Sequence, residues 1–253
     1  MSLRLAALLA AAAVAPATTV ATVVCADHRG QGRAFRYLQP NNMDLLLHGA
    51  GQSPDAFQAY WDAMPNSTKP MVYMAYTSLN RSQAEVQQFF ETLEEQCAKY
   101  TDDFYTIPQI GLSMTSGGVG YDGAVASGEL DDQIGYLVDA LQHTLKRPAY
   151  LRIGYEFNGQ WNGYSKHTYP KAFARVAKAV RSTKKVATVW DYSADASKER
   201  LNWLDWVVDP ELMDWAGAKT SRGFSQSVPC AFVLSQACRG KISAFSIPLS
   251  TTR

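Results

Sequence analysis

The sequence predicts an α/β chain of the (β/α)8, TIM-type barrel class, incomplete or irregular after its sixth strand. Three observations carry that expectation. Short, nearly uninterrupted apolar runs alternate with longer amphipathic stretches, as strands buried on both faces alternate with crossover helices. Successive strand–helix units follow one another at about 30–35 residues each, with polar loops after the strands, which is the pace of a barrel. No nucleotide fingerprint follows the first strand: Gly49-Ala50-Gly51-Gln52 holds only two glycines, and no acid about 20 residues on completes a dinucleotide pattern. A doubly wound sheet is the competing arrangement of the same elements.

The elements read in order as follows. Met43 to Gly49 is an apolar first strand. A helix runs from Ser53 to about Met64, with Ser53 as N-cap and Pro54 at the first helical position, where its missing N–H costs nothing. Met71 to Thr77 is the second strand. Arg81 to Tyr100 is a long helix with Val86, Phe89, Phe90, Leu93 and Cys97 at helical spacing. Thr106 to Ser113 is the third strand, and a Gly-rich loop from Thr115 to Gly123 leads to a helix over Leu130 to Leu145. Ala149 to Glu156 is the fourth strand, Tyr169 to Ser182 a helix, and Val186 to Tyr192 the fifth strand. A short helix at Lys198 to Val207 precedes a sixth strand, Met213 to Lys219.

The rhythm then fades. No Asp or Glu follows Asp214, while Ser, Lys and Arg recur. Ala231 to Leu234 and Ile242 to Leu249 are short apolar runs with no room for a normal helix between them. Two further barrel units would need about 60 residues, and only residues 220–253 remain. The expected organisation is a secretory signal over 1–26, a barrel over 27–219 and a divergent or aberrant tail over 220–253.

Charge and the N-terminus bound the functional classes. The 24 basic and 23 acidic residues give a net charge of +1, which argues against an electrostatic nucleic-acid or membrane surface. Arg4 precedes an uncharged Ala/Leu/Val-rich run to Val24, and Val24-Cys25-Ala26 resembles a small-residue cleavage site. A retained anchor is the alternative, but Pro16 and neighbouring threonines interrupt the run. The expectation is a secreted monomer. Asn66-Ser67-Thr68 and Asn80-Arg81-Ser82 are glycosylation triplets, usable only if a eukaryote secretes the chain. Cleavage would leave Cys97, Cys230 and Cys238; a Cys230–Cys238 loop suits an oxidising compartment, with Cys97 buried and free. The histidines are scattered, so no metal site and no cofactor are expected.

The most informative stretch is Arg152-Ile153-Gly154-Tyr155-Glu156-Phe157-Asn158-Gly159-Gln160-Trp161-Asn162-Gly163-Tyr164. An apolar run ends in one carboxylate, followed by Asn, Trp and Tyr in a Gly-rich loop. A carboxyl can protonate a glycosidic oxygen, aromatic faces stack on sugar C–H surfaces, and amides bond hydroxyls. The bland alternative is a buried strand with one exposed Glu at its end. Glu156 is the candidate acid. Asn158 is expected to bond both that carboxyl and a sugar hydroxyl. Trp161, Tyr164, Trp190, Tyr76 and His48 complete the candidate binding residues, because strand-end residues line the site in a barrel. Trp161 and Tyr164 could equally cap the barrel, Trp190 could be core, and His48 could be a satisfied structural residue. Asp191, at the end of the fifth strand, is the candidate second acid; its alternative is a strand-end acid bonded to loop amides or an Arg.

Tyr155-Glu156-Phe157-Asn158-Gly159-Gln160-Trp161 resembles the strand-four segment of glycoside hydrolase family 26, the β-mannanase-like (β/α)8 hydrolases, with Tyr155 where that family has His. Weaker resemblance includes Leu47-His48-Gly49-Ala50-Gly51, Val189-Trp190-Asp191 and Asp214-Trp215-x-Gly217. The resemblance implies a retaining glycosidase acting on a β-linked polysaccharide, mannan first, with Glu156 as general acid/base. It also implies a nucleophilic Glu at the end of the seventh strand, about 5–5.5 Å from the acid. No Glu follows Glu211 here. The expected partner is therefore a polysaccharide or oligosaccharide, either hydrolysed or bound without efficient turnover; an unrelated α/β protein with a chance motif is the third reading.

Overall fold

The computed structural model describes residues 48–51, 53–100, 106–219 and 232–236. The expected signal segment, Met43–Leu47 of the first strand, Cys230, Cys238 and the Ile242–Leu249 run lie outside these residues. One mixed sheet organises the chain: β1 (Gly49–Gly51), β2 (Val72–Ser78), β3 (Ile107–Ser113), β4 (Ala149–Ile153), β5 (Val186–Ser193), β6 (Trp215–Lys219) and β7 (Phe232–Gln236), side by side in chain order. The first six are parallel. Sequential order with parallel pairing is the singly wound topology of a barrel, whereas a doubly wound sheet reverses direction at a switch point. The sheet curls into a half-barrel with helices outside.

The crossover helices follow from local sequence. In α1 (Pro54–Ala63) the Ser53 hydroxyl accepts from the Ala56 N–H, and proline occupies the first turn. Ser82 and Glu85 form a reciprocal capping box ahead of α2 (Gln83–Ala98), which buries Val86, Phe90, Leu93 and Cys97 on one face. Cys97 is buried and free. A short α3 (Asp122–Ser127) ends in a left-handed Gly128, and α4 (Asp131–Asp139) continues as a π-turn through Ala140–Thr144. In α5 (Tyr169–Val180), Tyr169, Phe173, Val176, Ala177 and Val180 are buried against the sheet; each large apolar side chain so buried contributes about 1.5–3 kcal/mol. Among the described residues no helix is long and apolar enough to cross a membrane.

Several elements differ from the sequence expectation. The fourth strand stops at Ile153 instead of Glu156, because Gly154 takes φ +57° and turns the chain. The helix expected at Lys198–Val207 is two 3-10 turns, Lys198–Arg200 and Trp203–Trp206. The sixth strand begins at Trp215, just after the Leu212 carbonyl and the Asp214 carboxylate accept hydrogen bonds from Thr188. The strand after β6 pairs antiparallel with it, Trp215 opposite Gln236. A barrel strand would run parallel, so β7 does not continue the barrel.

Register sorts the strand residues onto two faces. Met74, Gln109, Tyr150 and Ala187 lie in one row across the sheet, and Tyr76, Gly111, Arg152, Val189 and Trp215 in the next. These face the barrel interior, where Ile107, Tyr150, Ala187 and Val189 form a small core with Trp215 beside it. The intervening residues, including Tyr73, Ile110, Leu112, Leu151, Ile153 and Trp190, join the larger core beneath the helices.

Candidate active site at the mouth of the half-barrel

The turn after β4 places Glu156 just beyond the C-terminal end of the sheet. Its backbone is left-handed, φ +52°, a conformation that costs a residue with a Cβ about 1–2 kcal/mol. Glu156 is 8% exposed. Its negative charge acts on two neighbours, helping to raise the pKa of both the Tyr155 hydroxyl and the Asp191 carboxyl, although burial is the larger cause in each. Beneath it sits a polar cluster on the interior face. Arg152 donates from Nε to Asp191 Oδ2 at 2.9 Å and also from Nη2, and both side chains are fully buried. Arg152 Nη1 donates to the Tyr76 hydroxyl at 3.4 Å. The guanidinium lies 5.8 Å from the Tyr76 ring centre and 5.2 Å from that of Tyr155, within cation–π range. The two rings meet edge to face at 5.1 Å. Gly111 makes room for them, since a Cβ there would lie 2.5 Å from the Tyr76 ring.

Burial pushes the Asp191 carboxyl upward against the opposite pull of Arg152, and Asp191 holds the guanidinium charged. The ion pair engages Asp191 Oδ2, while Oδ1 is buried without a hydrogen-bond partner. It matches the alternative that the sequence left open for Asp191, an acid paired with an Arg, and the residue is fully buried.

The other sequence candidates divide. Trp161, on the 3-10 turn Gln160–Asn162, is 39% exposed at the rim. Tyr76 reaches the mouth through the Arg152 cluster. Asn158, by contrast, is wholly buried: its Nδ2 donates to the Ser193 and Arg200 carbonyls at 2.8 and 3.2 Å, and its Oδ1 accepts from the Ser193 N–H at 2.7 Å. It ties the loop to the end of β5 and faces no sugar. Tyr164 is 2% exposed, its hydroxyl accepting from the Met114 N–H at 2.8 Å and its ring stacked on Tyr169. Trp190 points to the helix side, stacked on Phe157 at 4.5 Å with its Nε1 donating to the Trp206 carbonyl. His48 precedes β1, bonded to the Tyr60 hydroxyl and the Thr68 carbonyl, at the end of the sheet opposite the mouth. Four of these candidates are therefore bonded or stacked within the fold, three of them buried.

Arg152 and Asn162 were not singled out by the sequence, although both lie in its most informative stretch. A lone Arg in the run Ala-Tyr-Leu-Arg-Ile was the available signal for the first: a charge inside a buried strand requires a partner. Nothing in the pattern marked Asn162.

A parallel half-barrel with a carboxylate just beyond the C-terminal ends of its strands is the arrangement in which barrel enzymes place their chemistry. No family model matches the chain. Over 111 residues, 43% of its length, it is 27% identical to a beta-1,3-xylanase from Alcaligenes sp and equally to the beta-1,3-xylanase TXYA from Vibrio sp. The match spans 23% of the length of each xylanase. Among solved structures, the GH26 beta-mannanase BoMan26A from Bacteroides ovatus aligns with TM-score 0.42 and 13% identity, over 59% of this chain and 52% of that one. The xylanase matches support a relationship of this chain to glycoside hydrolases.

Proposed function

We propose that this chain carries the acid/base half of a glycoside hydrolase site and acts outside the cell on a β-linked polysaccharide, mannan first and β-1,3-xylan second. Glu156 is the proton donor to the leaving glycosidic oxygen, and Trp161 is the platform on which a sugar ring stacks. The observation that carries the reading is the position of Glu156: a nearly buried carboxylate just beyond the strand end, whose charge bears on the Tyr155 hydroxyl and the Asp191 carboxyl. The sequence relationship to two xylanases supports the same class.

A second reading, carbohydrate binding without efficient turnover, is favoured by Asp191. Double displacement needs a second carboxylate about 5–5.5 Å from the acid, and Asp191 is already committed to Arg152. Reducing-sugar release from mannan and β-1,3-xylan, with calorimetric titration of the matching oligosaccharides, separates the two. Hydrolysis that falls by about 10²–10⁴ in Glu156→Gln supports the enzyme. Binding with no release supports the second reading. Equal hydrolysis by Glu156→Gln and the parent excludes Glu156 as the acid.

A further inference from the structure

Glu156 holds an unfavourable backbone conformation, and something must hold it there. The peptide groups on both sides are tied by specific bonds. Asn162 Nδ2 donates to the Tyr155 carbonyl and to the Glu156 carbonyl, both at 3.0 Å. The Glu156 carbonyl also accepts from the Gly159 N–H at 2.7 Å. On the other side, the Phe157 N–H donates to the Asp191 carbonyl at 3.2 Å. Asn162 is 4% exposed and Asp191 not at all, so neither is placed to meet a polysaccharide.

We infer that Asn162 is a positioning residue: with the Asp191 backbone carbonyl on the other side, it clamps the peptides flanking Glu156 and so holds its carboxyl at the mouth. The division of labour is physical. Asn162 supplies donors to two carbonyls that a left-handed turn leaves pointing the same way, which a single amide NH2 with its two hydrogens can satisfy. The Asp191 carbonyl belongs to β5, so that side of the clamp is anchored in the sheet. This inference deepens the acid reading of Glu156 and rests on it for its functional meaning, but the clamp itself has a readout that needs no activity.

The test uses the full chain with 13C-labelled glutamate, the Glu156 carboxyl signal being the one lost in Glu156→Gln. In Asn162→Ala, that signal is expected to shift and broaden. Exchange of the Glu156 and Phe157 amides is expected to accelerate by about tenfold or more while the β3–β5 amides stay protected, as local opening predicts. Asn162→Asp, which keeps the shape but has no donor, gives the same readout if the alanine variant fails to fold. A second arm compares 2,4-dinitrophenyl and phenyl β-mannobiosides and β-1,3-xylobiosides. A misplaced general acid slows the phenyl substrates, which need protonation, far more than the dinitrophenyl ones, which do not; a merely structural lesion slows both alike. An unmoved Glu156 signal with unchanged amide exchange overturns the clamp whatever the kinetics. Equal slowing on both leaving groups overturns the positioning role. A moved signal in a parent chain that cleaves none of the substrates keeps the clamp and removes the hydrolase reading.

Discussion

Glu156 and Phe157 are chain neighbours with opposite surroundings. Glu156 belongs to the mouth, where its charge bears on Tyr155 and on the Asp191 of the buried ion pair. Phe157 belongs to the helix side: it is fully buried, stacked on Trp190 at 4.5 Å and 24° and on Tyr169 at 5.0 Å and 27°, with Trp206 nearby. The difference teaches that an aromatic-rich loop around an acid is two structures in one. Part of it prepares a polar site, and part of it fastens that site to the core. The polar half is costly to bury and is stabilised by pairing. The aromatic half is stabilised by apolar area and stacking.

The comparison breaks most visibly at its two tryptophans. Trp190→Ala is expected to cost about 3–5 kcal/mol of stability, the range for an aromatic removed from a packed core. Trp161→Ala should change stability by less than about 0.5 kcal/mol, as for an exposed position, yet weaken oligosaccharide binding. Urea denaturation and calorimetric titration read the two properties separately. A Trp190→Ala protein of normal stability that binds sugar poorly would move Trp190 to the mouth and dissolve the distinction.

Tyr164→Phe is the next largest effect. It strands the buried Met114 N–H and is expected to cost about 1–2 kcal/mol, without altering oligosaccharide affinity. Affinity lost in proportion to stability would place Tyr164 in the site after all.

Glu156→Gly sharpens the other side. Glycine takes φ +52° without strain, so the variant should gain up to about 1 kcal/mol in stability while losing the proposed acid function. A clear loss of stability would mean that the Glu156 side chain stabilises the fold more than its backbone strains it.

The smallest effect is a pH dependence. Burial raises the Asp191 pKa above its unfolded value of about 3.9. Between those two values the folded state binds more protons than the unfolded one, so this group's contribution is full below the unfolded pKa and declines as pH rises through the folded one. Denaturation midpoints measured across that window should show this limb in the parent, and Asp191→Asn should flatten it. A limb of opposite sign would mean that Arg152 outweighs burial.

Much of the scaffold was legible in the sequence because its signals are local. Ser53-Pro54, the Ser82–Glu85 pair and the spacing of Val86, Phe90, Leu93 and Cys97 announce helices within a few turns of chain. The alternation of elements announces a parallel sheet. Where the reading slipped, a non-local contact or a special backbone angle decided the outcome. Gly154 ended β4 early through a positive φ. Asn158 was consumed by Ser193 and Arg200, residues 35 and 42 positions away. His48 fell at the wrong end of the sheet because β1 pairs through Gly49–Gly51 with the start of β2.

By itself the sequence determined the order of strands and helices and the carboxylate that follows the fourth strand. Those depend on periodicity, caps and glycines, which act between near neighbours. Only the tertiary structure decided which face of each strand looks inward. In a parallel sheet both faces are buried and both read as apolar, so period two names two sets of residues without saying which lines the barrel. That choice sent Asp191 to the interior and Trp190, beside it in the chain, to the helices. It also gave Asp191 to Arg152, because a charge buried in the barrel is tolerated only beside its opposite.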